Sequence, residues 1–216
     1  MELTHTQFAY FFDTPIESPT ELFIRIRQKY ESLLDEEPII NPLPNEAPAE
    51  IPSVIMRSKK QDVSANISRA RIDFFFNHVI PGGITWNRAL SMVSELYENI
   101  SGYSSVSRIG VIQTYFEETE NPASDLASKM LSVTLDPGAD EVSVRYNEPL
   151  MDGVRYNRVR QFQSTALQKS DQAILGVSET IDINTDPRLT SLSNENVEKV
   201  LSLCRSEIQK HEAICE

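Results

Sequence analysis

The sequence predicts an α+β protein: a mostly antiparallel sheet with three to four helices packed on one face. Three observations predict it. Apolar runs of period two, separated by short polar turns, follow one another as hairpins between 51 and 76 and again between 142 and 183. Helix-period stripes stand between these groups and do not follow every strand. Strict β-α-β-α alternation, the mark of a doubly wound parallel sheet, is therefore absent. The expected order is β-α-β-β-α-β-α-β-β-β-α, within a single domain covering residues 1–216, and it hints at a two-part repeat of sheet segment plus long helix.

Each element has its own signal. Phe8, Tyr10 and Phe12 alternate in a strand over 6–12 that Asp13-Thr14-Pro15 ends. Ser18, Pro19 and Glu21 read as N-cap, N1 and capping-box partner of a helix whose stripe is Leu22, Phe23, Ile26, Tyr30, Leu33 and Leu34. Five prolines between 38 and 52 make an extended surface crossover. Strands follow over 51–56 and 63–76, around the polar turn 58–62. After Pro81-Gly82-Gly83, Thr85 caps a helix with Trp86, Ala89, Leu90, Val93, Tyr97 and Ile100 on one face, stopped by Gly102. A β-branched strand covers 106–116, and Asn121-Pro122 opens a short helix through Leu131. Asp136-Pro137-Gly138 turns the chain into a strand at Val142, Val144 and Tyr146. Asp152-Gly153 reads as a hairpin turn leading into 154–163. Leu175, Val177, Ile181 and Ile183 alternate in the last strand. Ser193 or Asn194 caps a final helix with Val197, Val200, Leu201, Cys204 and Ile208 on one side.

The chain has 216 residues, 40% hydrophobic and 24% charged, with net charge −12. That acidity argues against a protein built chiefly to bind nucleic acid or an anionic membrane. Charge is nevertheless segregated. Residues 51–110 and 142–170 are each net +3, and they are the blocks richest in strand signals, so a basic sheet surface framed by acidic helices is expected. The chain shows no membrane-spanning apolar run and no signal peptide. Its two cysteines, Cys204 and Cys215, make no disulfide framework. The expectation is a reduced cytoplasmic protein.

Most chemistries find no motif. There is no phosphate loop, no G-x-G-x-x-G and no G-x-S-x-G. His5, His78 and His211 are scattered, without zinc spacing. Asp182, Asn184 and Asp186 open a calcium-loop pattern, but Pro187 and Ser193 stand where Gly and Glu are needed. Arg71 and His78 match the R-x6-H spacing of the helical HEPN nucleases, yet the stretch between them reads as a strand. No cofactor and no catalytic residue is assigned. The remaining candidate is a basic stripe with interleaved aromatics: Arg145, Arg155, Arg158, Arg160 and Tyr156 around the 152–153 turn. Period two sets Arg155 against Arg158 and Arg160.

The strand Val106-Ser107-Arg108-Ile109-Gly110-Val111 resembles a sporadically distributed family of uncharacterised bacterial and phage proteins. In that family an Arg-Ile-Gly strand follows a long helix, and an N-terminal strand leads into a helix. The resemblance implies no catalytic residues; it implies a bacterial or phage-borne cytosolic protein linked to mobile elements or defence.

Three functions are carried forward. The first is a non-enzymatic interaction subunit or adaptor that docks a protein partner or a second copy through sheet edges or helix faces. The aromatics Phe8, Tyr10, Phe11 and Phe12 exceed what one edge strand usually exposes, so part of this cluster is expected to be covered by a partner or a second copy. The second is an acidic inhibitor or DNA mimic using Glu117, Glu118, Glu120, Asp140 and Glu141. The third is a nucleic-acid- or nucleotide-binding module using the arginine hairpin.

Overall fold

The computed structural model describes residues 1–44, 46–101, 105–136, 138–152, 154–169, 172–189 and 191–213. The elements are β1 (Glu2–Phe12), α1 (Pro19–Tyr30), β2 (Ile39–Ile40), β3 (Val54–Arg57), β4 (Val63–Ile67), β5 (Arg71–Asn77), α2 (Trp86–Ser101), β6 (Val106–Glu118), α3 (Pro122–Leu131), β7 (Ser143–Asp152), β8 (Val154–Lys169), β9 (Gln172–Thr185) and α4 (Asn194–Ala213). The strands form one antiparallel sheet in the order β2-β3-β4-β5-β1-β6-β9-β8-β7. The α+β class holds.

Two strands were not expected. Ile39–Ile40 of the proline-rich crossover pairs with Ile55 and Val54 and closes the β3 edge. The single strand expected over 63–76 is the hairpin β4–β5. Its turn is built by Ser68, whose hydroxyl accepts the N–H groups of Ala70 and Arg71 at 3.2 and 3.0 Å. A serine turn carries no Gly or Pro to announce it.

Caps decide where the helices start. Ser18 sits at the N-cap of α1 with extended backbone and Pro19 follows, but its side chain makes no capping bond, so the Ser18 half of the expected box is not made. Thr85 caps α2 by accepting the Arg88 N–H at 3.4 Å. At α4 the box is reciprocal: the Ser193 N–H donates to Asn196 Oδ1 and the Asn196 N–H to Ser193 Oγ, both at 3.2 Å. The stops and turns expected at Gly102, Pro137 and Gly153, and the second cysteine, Cys215, lie outside the described residues.

All four helices cover one face. Alternate positions of the central strands point into the core beneath α1, α2 and α4: Phe8 and Tyr10 of β1, Ile72, Phe74 and Phe76 of β5, Val111 of β6, and Ile181 and Ile183 of β9. Val177, on the same side of β9, packs under Ala123, Leu126 and Ala127 of α3. Phe8, Tyr10 and Phe12 are thus covered by the chain's own core, while Phe11 lies half-buried on the opposite face. β1 is a central strand, and α2 covers it: Phe8 stacks on Trp86, Tyr10 stacks on Tyr97, and the Tyr10 hydroxyl donates to the Val93 carbonyl at 2.9 Å. Gly176 marks a close approach, since a Cβ there would lie 2.3 Å from the Glu117 carbonyl oxygen and 2.4 Å from the Phe116 ring.

The hinted repeat is present. β1-α1-β3-β4-β5-α2 and β6-α3-β7-β8-β9-α4 have the same connectivity and occupy mirrored places in the strand order. Phe8 pairs with Phe74 as Val111 pairs with Ile183, and Phe8 and Val111 pair with each other. A pseudo-two-fold axis thus passes through the Phe8–Val111 pair. It equates Asp73 with Asp182, Val54 with Tyr146, and Met56, Ala65 and Ile67 with Glu148, Arg158 and Arg160.

Candidate functional site

The five residues of the expected basic stripe do not form one surface. Tyr156 is buried, and its hydroxyl accepts the Asn196 side-chain amide at 3.2 Å. Arg158 and Arg160 lie on the same, helix-covered side of β8. Arg145 and Arg155 lie on the other side and are exposed. Arg155 reaches Asp186 at 3.9 Å.

Arg158 and Arg160 are consumed by a closed ion network. Arg158 meets Glu148 of β7 at 2.9 Å and Glu207 of α4 at 2.7 Å. Arg160 joins Glu207 to Glu179 of β9. Lys210 adds a contact to Glu207 at 2.8 Å, and His211 lies 3.1 Å from Glu179 while stacking on Tyr115. The Glu207 and Glu179 side chains are 2% and 3% exposed. Burial by itself would push the Glu207 carboxyl up; Lys210, Arg160 and Arg158 more than offset it and hold it below the ordinary range. Burial likewise disfavours the Arg160 charge, and Glu179 and Glu207 overcome it, raising its pKa. Acids and bases so matched fasten the end of α4 to β7, β8 and β9.

The opposite face of the sheet carries no described helix. Across its middle it presents Gln7, Asn66, Asn77, Thr114, Asn157 and Gln161, with Phe75, Ile112 and Val159 between them, all half-buried. Ala9 and Gly110 face each other beside the pseudo-axis and keep the centre low. Asp73 is buried there, held by the Gln7 amide at 2.9 Å and by Arg71 at 2.8 Å. Burial raises its pKa despite both partners.

One end of this face is basic and aromatic. The Phe11 ring lies between Arg108 and Arg71, whose guanidinium carbons stand 4.8 and 5.7 Å from its centroid. With Arg188 and Pro187 they line a hollow of about 450 Å³. Arg188 is occupied by a two-pronged contact to Asp186, whose carboxyl it holds well below the carboxylate range. Arg108 has no acid partner among the described residues, and its Nε is buried without a hydrogen bond. It is the arginine of the Arg-Ile-Gly strand.

Other sequence candidates resolve into structure. His78 is wedged between Thr6 Oγ1 at 3.0 Å and the Ile84 carbonyl at 3.3 Å, with burial lowering its pKa, and it anchors the 78–85 loop. Arg71, its partner in the nuclease-like spacing, is tied to Asp73 instead. Asp182 accepts from the Asn184 amide at 3.0 Å. Cys204 is buried, which pushes its thiol up. Among the described residues no group of three or more His, Cys, Asp and Glu is placed to hold a metal ion, and no helix is long and apolar enough to cross a membrane.

Compared with known families and with curated proteins, the chain matches no family model and no curated sequence.

Proposed function

We propose that this protein is a non-enzymatic interaction subunit that docks a protein partner on the helix-free face of its sheet. The observation that carries the reading is that face itself: broad, amide-rich, interleaved with Phe75, Ile112 and Val159, and lying opposite all four helices. Interfaces of stable complexes combine such apolar islands with hydrogen-bonding groups. The cluster of Glu148, Arg158, Arg160, Glu179 and Glu207, on the other side, is closed by its own ion pairs and supports anchoring of α4 over catalysis. The test is co-purification from the native host with three chains: wild type, Val159→Arg with Gln7→Arg on the open face, and Arg205→Ala on the exposed side of α4. The face variant is expected to lose a partner that the other two retain. Identical partner sets for all three would end the reading.

A second reading, nucleic-acid binding, is favoured by one feature: Arg108 stacked on Phe11 without an acid partner among the described residues. It requires Arg108→Ala to weaken binding of a short duplex or single strand and to flatten its salt dependence. The acidic-mimic reading gains no comparable support, since Glu117 already lies 3.7 Å from Lys129.

A further inference from the structure

The two edges of the sheet are equivalent by the pseudo-two-fold axis, but they are finished differently. In the first repeat the β3 edge is short, and Ile39–Ile40 of the same chain closes it by antiparallel pairing with Ile55 and Val54. The matching edge of the second repeat is β7, and Tyr146 and Asn147 stand where Val54 and Ile55 stand. β7 has ten residues instead of four, and no described strand pairs with its outer side. None of its residues 143–151 is buried; Met151 is 74% exposed and Tyr146 39%. A long uncovered edge presents a row of unmet N–H and C=O groups, which sheets normally cover or blunt.

We infer that β7 is closed by β7 of a second copy, in an antiparallel pair centred on Asn147, giving a two-fold dimer with a continuous sheet. This rests on the reading of the protein as a docking subunit and names one partner. The second copy is favoured over an unrelated strand because the segment is self-complementary. Centring on Asn147 sets Tyr146 opposite Glu148, Val144 opposite Leu150 and Arg145 opposite Pro149. No like charges face each other, and the half-exposed Val144, Tyr146 and Leu150 meet on the helix side. A two-fold pair also closes, leaving no second long edge to propagate. Pro149 has no N–H to give, which shortens the ladder and keeps the pairing reversible.

The test uses the full chain. Light scattering behind size exclusion over a wide concentration range is expected to show mass rising from the 24.5 kDa monomer toward twice that value. Asn147→Pro should return it to monomer. Asn147 shares its orientation with Pro149, which β7 already accommodates, so the fold should persist, and circular dichroism checks this. Asn147→Cys gives a readout that does not depend on the proline. Paired residues on such a ladder have Cα atoms about 5.5 Å apart, within disulfide reach. Mild oxidation should link the variant as a dimer, while wild type and Asn157→Cys stay unlinked. A wild type that is monomeric throughout overturns the inference, and so does a dimer that Asn147→Cys fails to cross-link. Either result leaves the helix-free face as docking surface untouched; only the co-purification result bears on that.

Discussion

Replacing Arg160 by Met tests whether the ion network fastens α4 to the sheet. Arg160 is 13% exposed and bridges Glu179 and Glu207, which are almost wholly enclosed. Met keeps the volume and removes the charge. Glu207 retains Arg158 and Lys210, but Glu179 is left with His211 alone. Removing one partner of a buried pair costs about 3–5 kcal/mol, because a charge stays behind without compensation. For a chain of this length each kcal/mol moves Tm by about 2–4 °C, so the midpoint should fall by roughly 6–20 °C. Urea unfolding should show the lower midpoint with an unchanged slope, since the surface exposed on unfolding is the same. Adding Glu179→Gln should restore part of the loss, because it removes the stranded carboxylate; the double-mutant cycle measures the coupling. A loss under about 1 kcal/mol, within the range of exposed pairs, would refute the account of a closed anchoring network.

Three further outcomes follow from the same geometry. Glu207 has a depressed folded pKa, so its contribution is present above the ordinary value of 4.5 and is lost as pH falls through the folded value. The deficit of Glu207→Gln against wild type, read from urea midpoints, should therefore shrink on acidification. Asp73 has the opposite sign: its raised folded pKa gives stability below 3.8 that is lost as pH rises through the folded value. Asp73→Asn should gain on wild type between acid and neutral pH in the same titration. Gly176→Ala drives a methyl into the Glu117 carbonyl and the Phe116 ring and should destabilise by about 1–3 kcal/mol in chemical unfolding.

Much of this was readable from the chain. Helix stripes, the proline crossover and the caps at Thr85 and Ser193 placed α1 to α4, and period two placed the central strands. What escaped was one weak local signal and one long-range pairing. The Ser68 turn rests on a single hydroxyl with no Gly or Pro beside it, and nothing local tells Ile39–Ile40 to cap an edge formed by residues 54–55. The binding stripe drawn around Arg158 and Arg160 ignored a signal that was present. Both arginines share the parity of Tyr156 and Phe162, which is the buried parity of β8. Glu179 sits between Val177 and Ile181 on the apolar side of β9. Glu207 lies on the helical stripe of Val200, Cys204 and Ile208. Charged residues at core positions of three separate elements point to one another and away from solvent.

The repeat explains why that network is worth having. In the first half Met56, Ala65 and Ile67 form an apolar layer; the axis puts Glu148, Arg158 and Arg160 in the same places in the second half, where Glu207 completes them. An ionic layer is rarely more stable than a packed apolar one, so its value lies elsewhere. α2 and α4 have matching cap positions and matching apolar stripes, and each is a plausible cover for either half-sheet. Seated over Arg158 and Arg160, α2 would bring the neutral Asn99 to the place of Glu207 and leave two guanidinium groups without that carboxylate. Seated over Met56 and Ala65, α4 would bury Glu207 with no cation. Both errors cost several kcal/mol. Two half-sheets of like design are thereby told apart by charge, and each helix returns to its own.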